Sequence, residues 1–321
     1  MRFETGLYEH AAKLIGCTPS QVSRDGDLLF QAHAAAYELY QHTPVVVGID
    51  LYNIEAELLG SQVLLPDGDA MPSIGAPIFQ SLSDMSRHVD SQPFAGGRVE
   101  MMLTAAVKMQ QAFPQAQVLV PVTGPFTLAS LLLGLENLLM LAIENTEKTE
   151  QALQHLSAWL THYCETIAAH KLNVVVFESA ASPPMLSPSM FAEVALSPLR
   201  NLLGAAHRCT GDRASCIIGG NTALIAQDLA QSGAGSLICP FETDQEKFLQ
   251  EIAAFPQIDV RVNVDPRVFL QKNPRLALRE AERACHLVHR REMACVGTGV
   301  IPFEAEPETV LAVRDFVLSQ R

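Results

Sequence analysis

The chain has 321 residues, 48% of them hydrophobic, 18% charged and 6% aromatic, enough to bury one large α/β core or two ordinary ones. Its formal net charge is -13 and no Lys/Arg stripe with interleaved aromatics occurs, which argues against nucleic acid and anionic membrane surfaces as partners. The seven cysteines are odd in number and dispersed, so they read as free thiols in a reducing, cytoplasmic setting rather than as a disulfide framework.

The N-terminus, Met1-Arg2-Phe3-Glu4, lacks the apolar core of a signal peptide. Residues 1–42 are expected to be mostly helical, with a turn at Thr18-Pro19-Ser20. The first apolar run is Val45–Asp50. Gln62–Leu65 followed by Asp67-Gly68-Asp69 predicts a small hairpin or excursion. Further short runs follow at Val118–Thr123, Val174–Glu178, Ser215–Gly219, Ser236–Cys239, Val260–Asp265 and Ala294–Gly297. They are rich in Val and Ile with little polar alternation, as expected of strands buried on both faces of a parallel sheet. Between them lie helix-length segments. Glu144–Ala169 carries apolar residues at helical spacing (Leu153, Leu156, Leu160, Tyr163, Cys164, Ile167), and Thr222–Gln231 and Thr243–Phe255 each open on a Thr suited to an N-cap. Val118–Ile143 is apolar but broken by Pro121, Gly124, Pro125, Gly134 and Glu136, unlike a membrane span.

Seven β-then-α units without a domain break predict a (β/α)8 TIM-type barrel, with its first strand altered or missing. A short segment such as Ala76–Phe79 is the candidate for closing it. Residues 1–42 would form an N-terminal helical segment and residues 43–321 the barrel, one domain overall. An incomplete barrel edge invites a second copy, so a homodimer is expected.

In such a barrel the carboxyl ends of the strands converge on one mouth, where ligands bind. Asp50, Glu178, Asn221, Glu242 and Asn263 all fall at strand ends, as do Cys239 and Thr298. The competing reading is that loops are polar in any case. Val45–Ile49 empties directly into Asp50, Tyr52, Asn53, Glu55 and Glu57. Asp50 and Glu57 could serve as general acid and base if an apolar pocket raised their pKa values. Alternatively Glu55 and Glu57 merely open a solvated helix. Gly219-Gly220-Asn221-Thr222 and Gly297-Thr298-Gly299 lack dinucleotide or Walker spacing, and each glycine is read as easing a turn or a close ligand approach. His207-Arg208-Cys209 has metal-ligand spacing but sits at a helix end before a strand. Cys216 falls within a strand, and Cys239 is the thiol nearest the mouth.

Six ordered motifs together resemble the uroporphyrinogen decarboxylase superfamily, and within it the branch of corrinoid-dependent methyltransferases. They are residues 48–57, Thr123-Gly124-Pro125-Phe126-Thr127-Leu128-Ala129, residues 179–191, Gly219-Gly220-Asn221-Thr222, Val262-Asn263-Val264-Asp265-Pro266 and Gly297-Thr298-Gly299-Val300-Ile301-Pro302. The resemblance covers residues from about 43 onward and implies a barrel with its site at the strand carboxyl ends. It places Asp50 where the decarboxylases bind pyrrole nitrogens. The arginine-bearing N-terminal signature of the decarboxylases is missing, and their active-site Tyr and late His fall at about Leu131 and Thr298. The methyltransferases' zinc-binding His-x-Cys falls at Ile217-Ile218-Gly219, and their distant Cys at Thr298 or Gly299. A displaced zinc site using Cys239 or Cys216 is the fallback.

The resemblance thus implies a methyltransferase-like enzyme without the usual zinc site. It would move a methyl group between a small substrate, such as a methylated amine, and a corrinoid held on a separate carrier protein. Asp50, Glu178 and Glu57 are the candidate catalytic residues. Tyr52, Asn53, Asn221, Glu242, Asn263 and Thr298 are the candidate substrate contacts. The alternatives are a decarboxylase of a small acid and a non-catalytic ligand-binding barrel.

Overall fold

The computed structural model describes residues 1–271 and 273–320. Eight parallel strands form a nearly closed barrel: β1 Phe3–Gly6, β2 Val45–Val46, β3 Val118–Thr123, β4 Asn173–Phe177, β5 Ser215–Ile217, β6 Ser236–Cys239, β7 Asp259–Val264 and β8 Ala294–Val300. Hydrogen bonding runs β1-β8-β7-β6-β5-β4-β3-β2, so β1 and β2 flank a seam. All six residues of β3 are buried, as a strand covered on both faces requires. The strand backbone of β2 is short, but pairing with the β3 segment continues one residue past it: Val45 N donates to Gln117 O at 2.8 Å and Val47 N to Leu119 O at 3.0 Å.

The main core lies between the sheet and the outer helices, which include Gly97–Ala112, Thr146–Ala169, Leu196–Thr210, Pro274–Val288 and Pro307–Ser319. A second, smaller cluster fills the barrel itself. Leu119, Val175, Val46 and Ile217 point inward, and Tyr8, Leu51, Tyr52 and Phe177 cap them toward the mouth. The barrel is therefore a packed interior with an aromatic upper layer, not a pore. Among the described residues no single helix is long and apolar enough to cross a membrane.

The strand that was not evident in the sequence is Phe3–Gly6, which pairs with β8 in parallel. It interrupts a segment expected to be helical, whose helices are Glu9–Leu14, Pro19–Val22 and Gly26–Tyr40. Four residues with a charged Glu4 among them are too few to show a period, and tertiary pairing decides their state. Ala76–Phe79 does not close the barrel. The amides of Ile78 and Phe79 instead both donate to Leu132 O, at 3.0 and 3.1 Å. The predicted excursion is a hairpin, Val63–Leu64 with Ser73–Ile74.

Phe3 is 6% exposed and belongs to the main core. Phe3→Ala should lower the free energy of unfolding in urea by about 3 kcal/mol or more; a loss under about 1 kcal/mol would mean that β1 is not integrated into the barrel.

Candidate functional site

A cavity of about 490 Å3 opens at the carboxyl ends of the strands. Its floor is the aromatic layer of Tyr8, Tyr52 and Phe177, and its walls include Asp50, Asn53, Arg261 and Asn263, with Glu9 and Glu242 also facing it.

Asp50 is a buried part of this wall and is held by a cation. Both of its oxygens accept from Nη1 of Arg98, at 2.6 and 2.7 Å. Asn53 Nδ2 donates to Asp50 Oδ2 at 3.1 Å and to Pro72 O of the hairpin at 2.8 Å. The Arg98 side chain is 7% exposed and its Nε donates to Glu57 at 2.5 Å; Arg24 reaches the other Glu57 oxygen at 2.6 Å. The Gly96–Gly97 turn, with φ of 90° and 62°, delivers Arg98 into the first turn of the helix Gly97–Ala112, using backbone that only glycine adopts freely. Burial raises the Glu57 carboxyl, but hydrogen bonds from Arg98 and Arg24 outweigh it and hold it below the ordinary range. The expectation that an apolar pocket lifts Glu57 is therefore reversed, and Glu57 does not line the cavity.

Glu55 and Glu178 flank the end of β3. Glu55 is 1% exposed and accepts from Thr123 N at 2.7 Å and Thr123 Oγ1 at 2.8 Å; it is no part of a solvated helix face. Glu178 is fully buried and accepts from Thr127 N and Oγ1, both at 2.7 Å, and from Phe126 N at 3.3 Å. These are amides of the first turn of the helix Pro125–Leu133, where an acceptor is most needed. A side chain at Gly124 would overlap the Glu178 carboxylate, so the glycine makes room for it. Burial pushes both carboxyls up to about 7 against these donations. Glu178 does not line the cavity and holds the loop behind it.

The cation of the cavity is Arg261 on β7. Its Nε donates to Asn263 Oδ1 at 3.1 Å, and its nearest carboxylate, Glu4, is 3.8 Å away. A Cβ at Gly297 on neighbouring β8 would collide with the Arg261 stem, so this glycine lets the side chain lie across β8. Tyr52 Oη and Ser179 Oγ share a hydrogen bond of 2.8 Å. Glu9 lines the cavity. Burial drives its carboxyl to about 7, helped by Glu304 and opposed by its own amide.

Of the sequence-predicted residues, Asp50, Tyr52, Asn53, Asn263 and Glu242 gather at this cavity. Glu242 is exposed, its carboxyl raised by partial burial and by Asp265. Asn221 is exposed outside the lining, where its side chain accepts from Thr243 Oγ1 at 3.1 Å. Thr298 is fully buried below the mouth, bonded to Thr5 Oγ1 at 2.9 Å and Gly299 O at 2.7 Å. Cys216 and Cys239 are buried thiols pushed up by that burial. No group of three His, Cys, Asp or Glu side chains that could hold a metal occurs among the described residues, so the donor set does not fit a tetrahedral zinc site. Tyr8, Glu9, Ser179 and Arg261 line the cavity without having been singled out. Arg261 could have been found from the alternation of Arg261 and Asn263 on one strand face.

Two outcomes test this geometry. Arg98→Ala leaves Asp50 and Glu57 without their shared cation and should cost about 3–5 kcal/mol in urea unfolding. Glu55, Glu178 and Glu9 keep their protons in the folded state up to about pH 7, whereas the unfolded chain releases them near 4.5. Their contribution to stability is therefore full below about pH 4.5 and declines as pH rises toward 7. Melting temperatures of the Glu55→Gln/Glu178→Gln double variant should show a weaker decline over that window than the native chain; parallel curves would contradict the assignment.

The sequence profile described as Uroporphyrinogen decarboxylase (URO-D) matches residues 4–319. Among solved structures, the chain superposes on a methyltransferase from Methanosarcina mazei with a TM-score of 0.80 and 19% identity, covering 97% of this chain and 91% of that one. Xylanase B from Clostridium stercorarium F9 aligns with a TM-score of 0.41 and 11% identity over 75% of this chain and 90% of that one. No curated protein matches the sequence. The likeness to the first structure shows a shared fold.

Proposed function

The chain belongs to the uroporphyrinogen decarboxylase family, and from that premise we propose that it is a methyltransferase-like enzyme acting on a small substrate, with a corrinoid on a separate protein as the other methyl carrier. The observation that carries this reading is the cavity: an aromatic floor and one guanidinium, Arg261, among its lining residues. A highly carboxylated porphyrinogen needs several cations, and this wall offers one. A cavity of about 490 Å3 that joins aromatic and aliphatic walls to several polar groups suits a small, partly apolar molecule. The methyltransferase that shares this fold favours the same chemistry.

The corrinoid, presented at the mouth, would supply the metal centre between which and the substrate the methyl group passes. Arg261 and Asn263 would hold the polar end of the substrate and fix its direction. The floor of Tyr8, Tyr52 and Phe177 would exclude water from the reacting carbon. Glu9, poised near neutrality, could hold or release a proton for the departing group. Asp50 and Arg98 keep the wall in place without joining the chemistry. Glu178, which accepts from the first turn of the helix Pro125–Leu133, does likewise.

The test is incubation of the protein with cob(I)alamin and a panel of methylated amines, ethers and thioethers, following cobalamin absorbance. Donor-dependent methyl transfer is expected, and Arg261→Gln should raise KM about tenfold or more with a smaller effect on kcat. No transfer from any donor, with carbon dioxide released from small acids, would favour decarboxylation instead.

A further inference from the structure

The cavity sets one cation among aromatic rings. The Arg261 side chain is 13% exposed, yet only its Nε is hydrogen-bonded among the described residues, to Asn263. Glu4, at 3.8 Å, is beyond the 2.7–2.9 Å of a charge-assisted hydrogen bond. The terminal nitrogens are thus free to grip a carboxylate in the two-pronged manner that guanidinium favours. Gly297 is the concession that lets this cation lie there.

Beside it lie three aromatic rings, with Tyr8 and Tyr52 each set edge-on to Phe177. Tyr8 and Phe177 have centroids 6.3 Å apart at 72°, and Tyr52 and Phe177 are 5.9 Å apart at 83°. Aromatic rings lining a cavity are suited to a cation with no protons to donate, because the ring face carries the negative side of the quadrupole. No Lys lines the cavity, and Glu9 and Glu242 face it without an ion pair among the described residues. The cavity thus sets two unpaired carboxyl groups against one guanidinium, leaving room for a second positive charge.

We propose that the cavity takes a small zwitterion, with its methylated ammonium over Tyr8, Phe177 and Tyr52 and its carboxylate on Arg261 and Asn263. This rests on the reading of the cavity as the methyl-transfer site and names its substrate class. A simple carboxylate would leave the aromatic rings unused. A simple methylated amine would leave Arg261 with no anion nearer than Glu4 at 3.8 Å.

Binding to the full chain, without corrinoid, tests the ligand class separately from the reaction. The probes are trimethylammonio carboxylates with one to three methylenes between the charged ends, 3,3-dimethylbutyrate as the uncharged-head isostere, and tetramethylammonium, each titrated by calorimetry. At least one zwitterion should bind about tenfold or more tightly than 3,3-dimethylbutyrate. Arg261→Gln should weaken the zwitterion about tenfold without weakening tetramethylammonium, while Tyr52→Leu should weaken both; circular dichroism checks that each variant is folded. Equal affinity for zwitterion and isostere, indifference to Arg261→Gln, or no saturable binding of any zwitterion would overturn the proposal. Zwitterion binding without methyl transfer would support the ligand class and count against the transfer reading alone.

Discussion

Arg98 holds the mouth of the barrel together. Its single guanidinium serves Asp50, at the end of the β2 region, and Glu57, on the helix that follows. Asp50 in turn receives Asn53, which also donates to the hairpin at Pro72. One cation from the helix Gly97–Ala112 thus sets the loop after β2, the next helix and the excursion that overhangs the cavity. Burying such a set is tolerable because each carboxylate oxygen in it has a donor. Gripped through both oxygens, Asp50 is a fixed point of the wall.

A similar logic recurs at β3. Glu55 and Glu178 approach the same loop from two sides and take its amides and hydroxyls. Carboxylates here substitute for backbone partners that an irregular loop cannot supply. Around the mouth, then, most charge is committed to holding backbone. What is left unspent is Arg261, Glu9 and Glu242, together with the aromatic layer, and these define what the cavity can bind.

The parallel barrel was legible in the sequence because strands buried on both faces leave unbroken apolar runs, as in Val118–Thr123. β1 was not, since Phe3–Gly6 is too short for periodicity and is held by pairing to β8 at the far end of the chain. Position along a strand correctly brought Asp50, Tyr52, Asn53, Asn263 and Glu242 to the cavity. It could not separate exposed from committed groups. Glu178 and Thr298 end strands just as Asn263 does, yet their partners, Thr127 and Thr5, come from elsewhere in the chain. Arg261 escaped notice for the complementary reason. It lies inside a strand rather than at its end, and its access to the cavity depends on a glycine in the neighbouring strand.

The claim on which the account turns is that Asp50 acts through Arg98 rather than on the substrate. A double-mutant cycle between Asp50→Asn and Arg98→Gln, read in kcat/KM of the proposed methyl transfer, addresses it most directly. The account predicts strong coupling, with the double variant no worse than the poorer single variant. Losses that simply add would give Asp50 a chemical role of its own and contradict it.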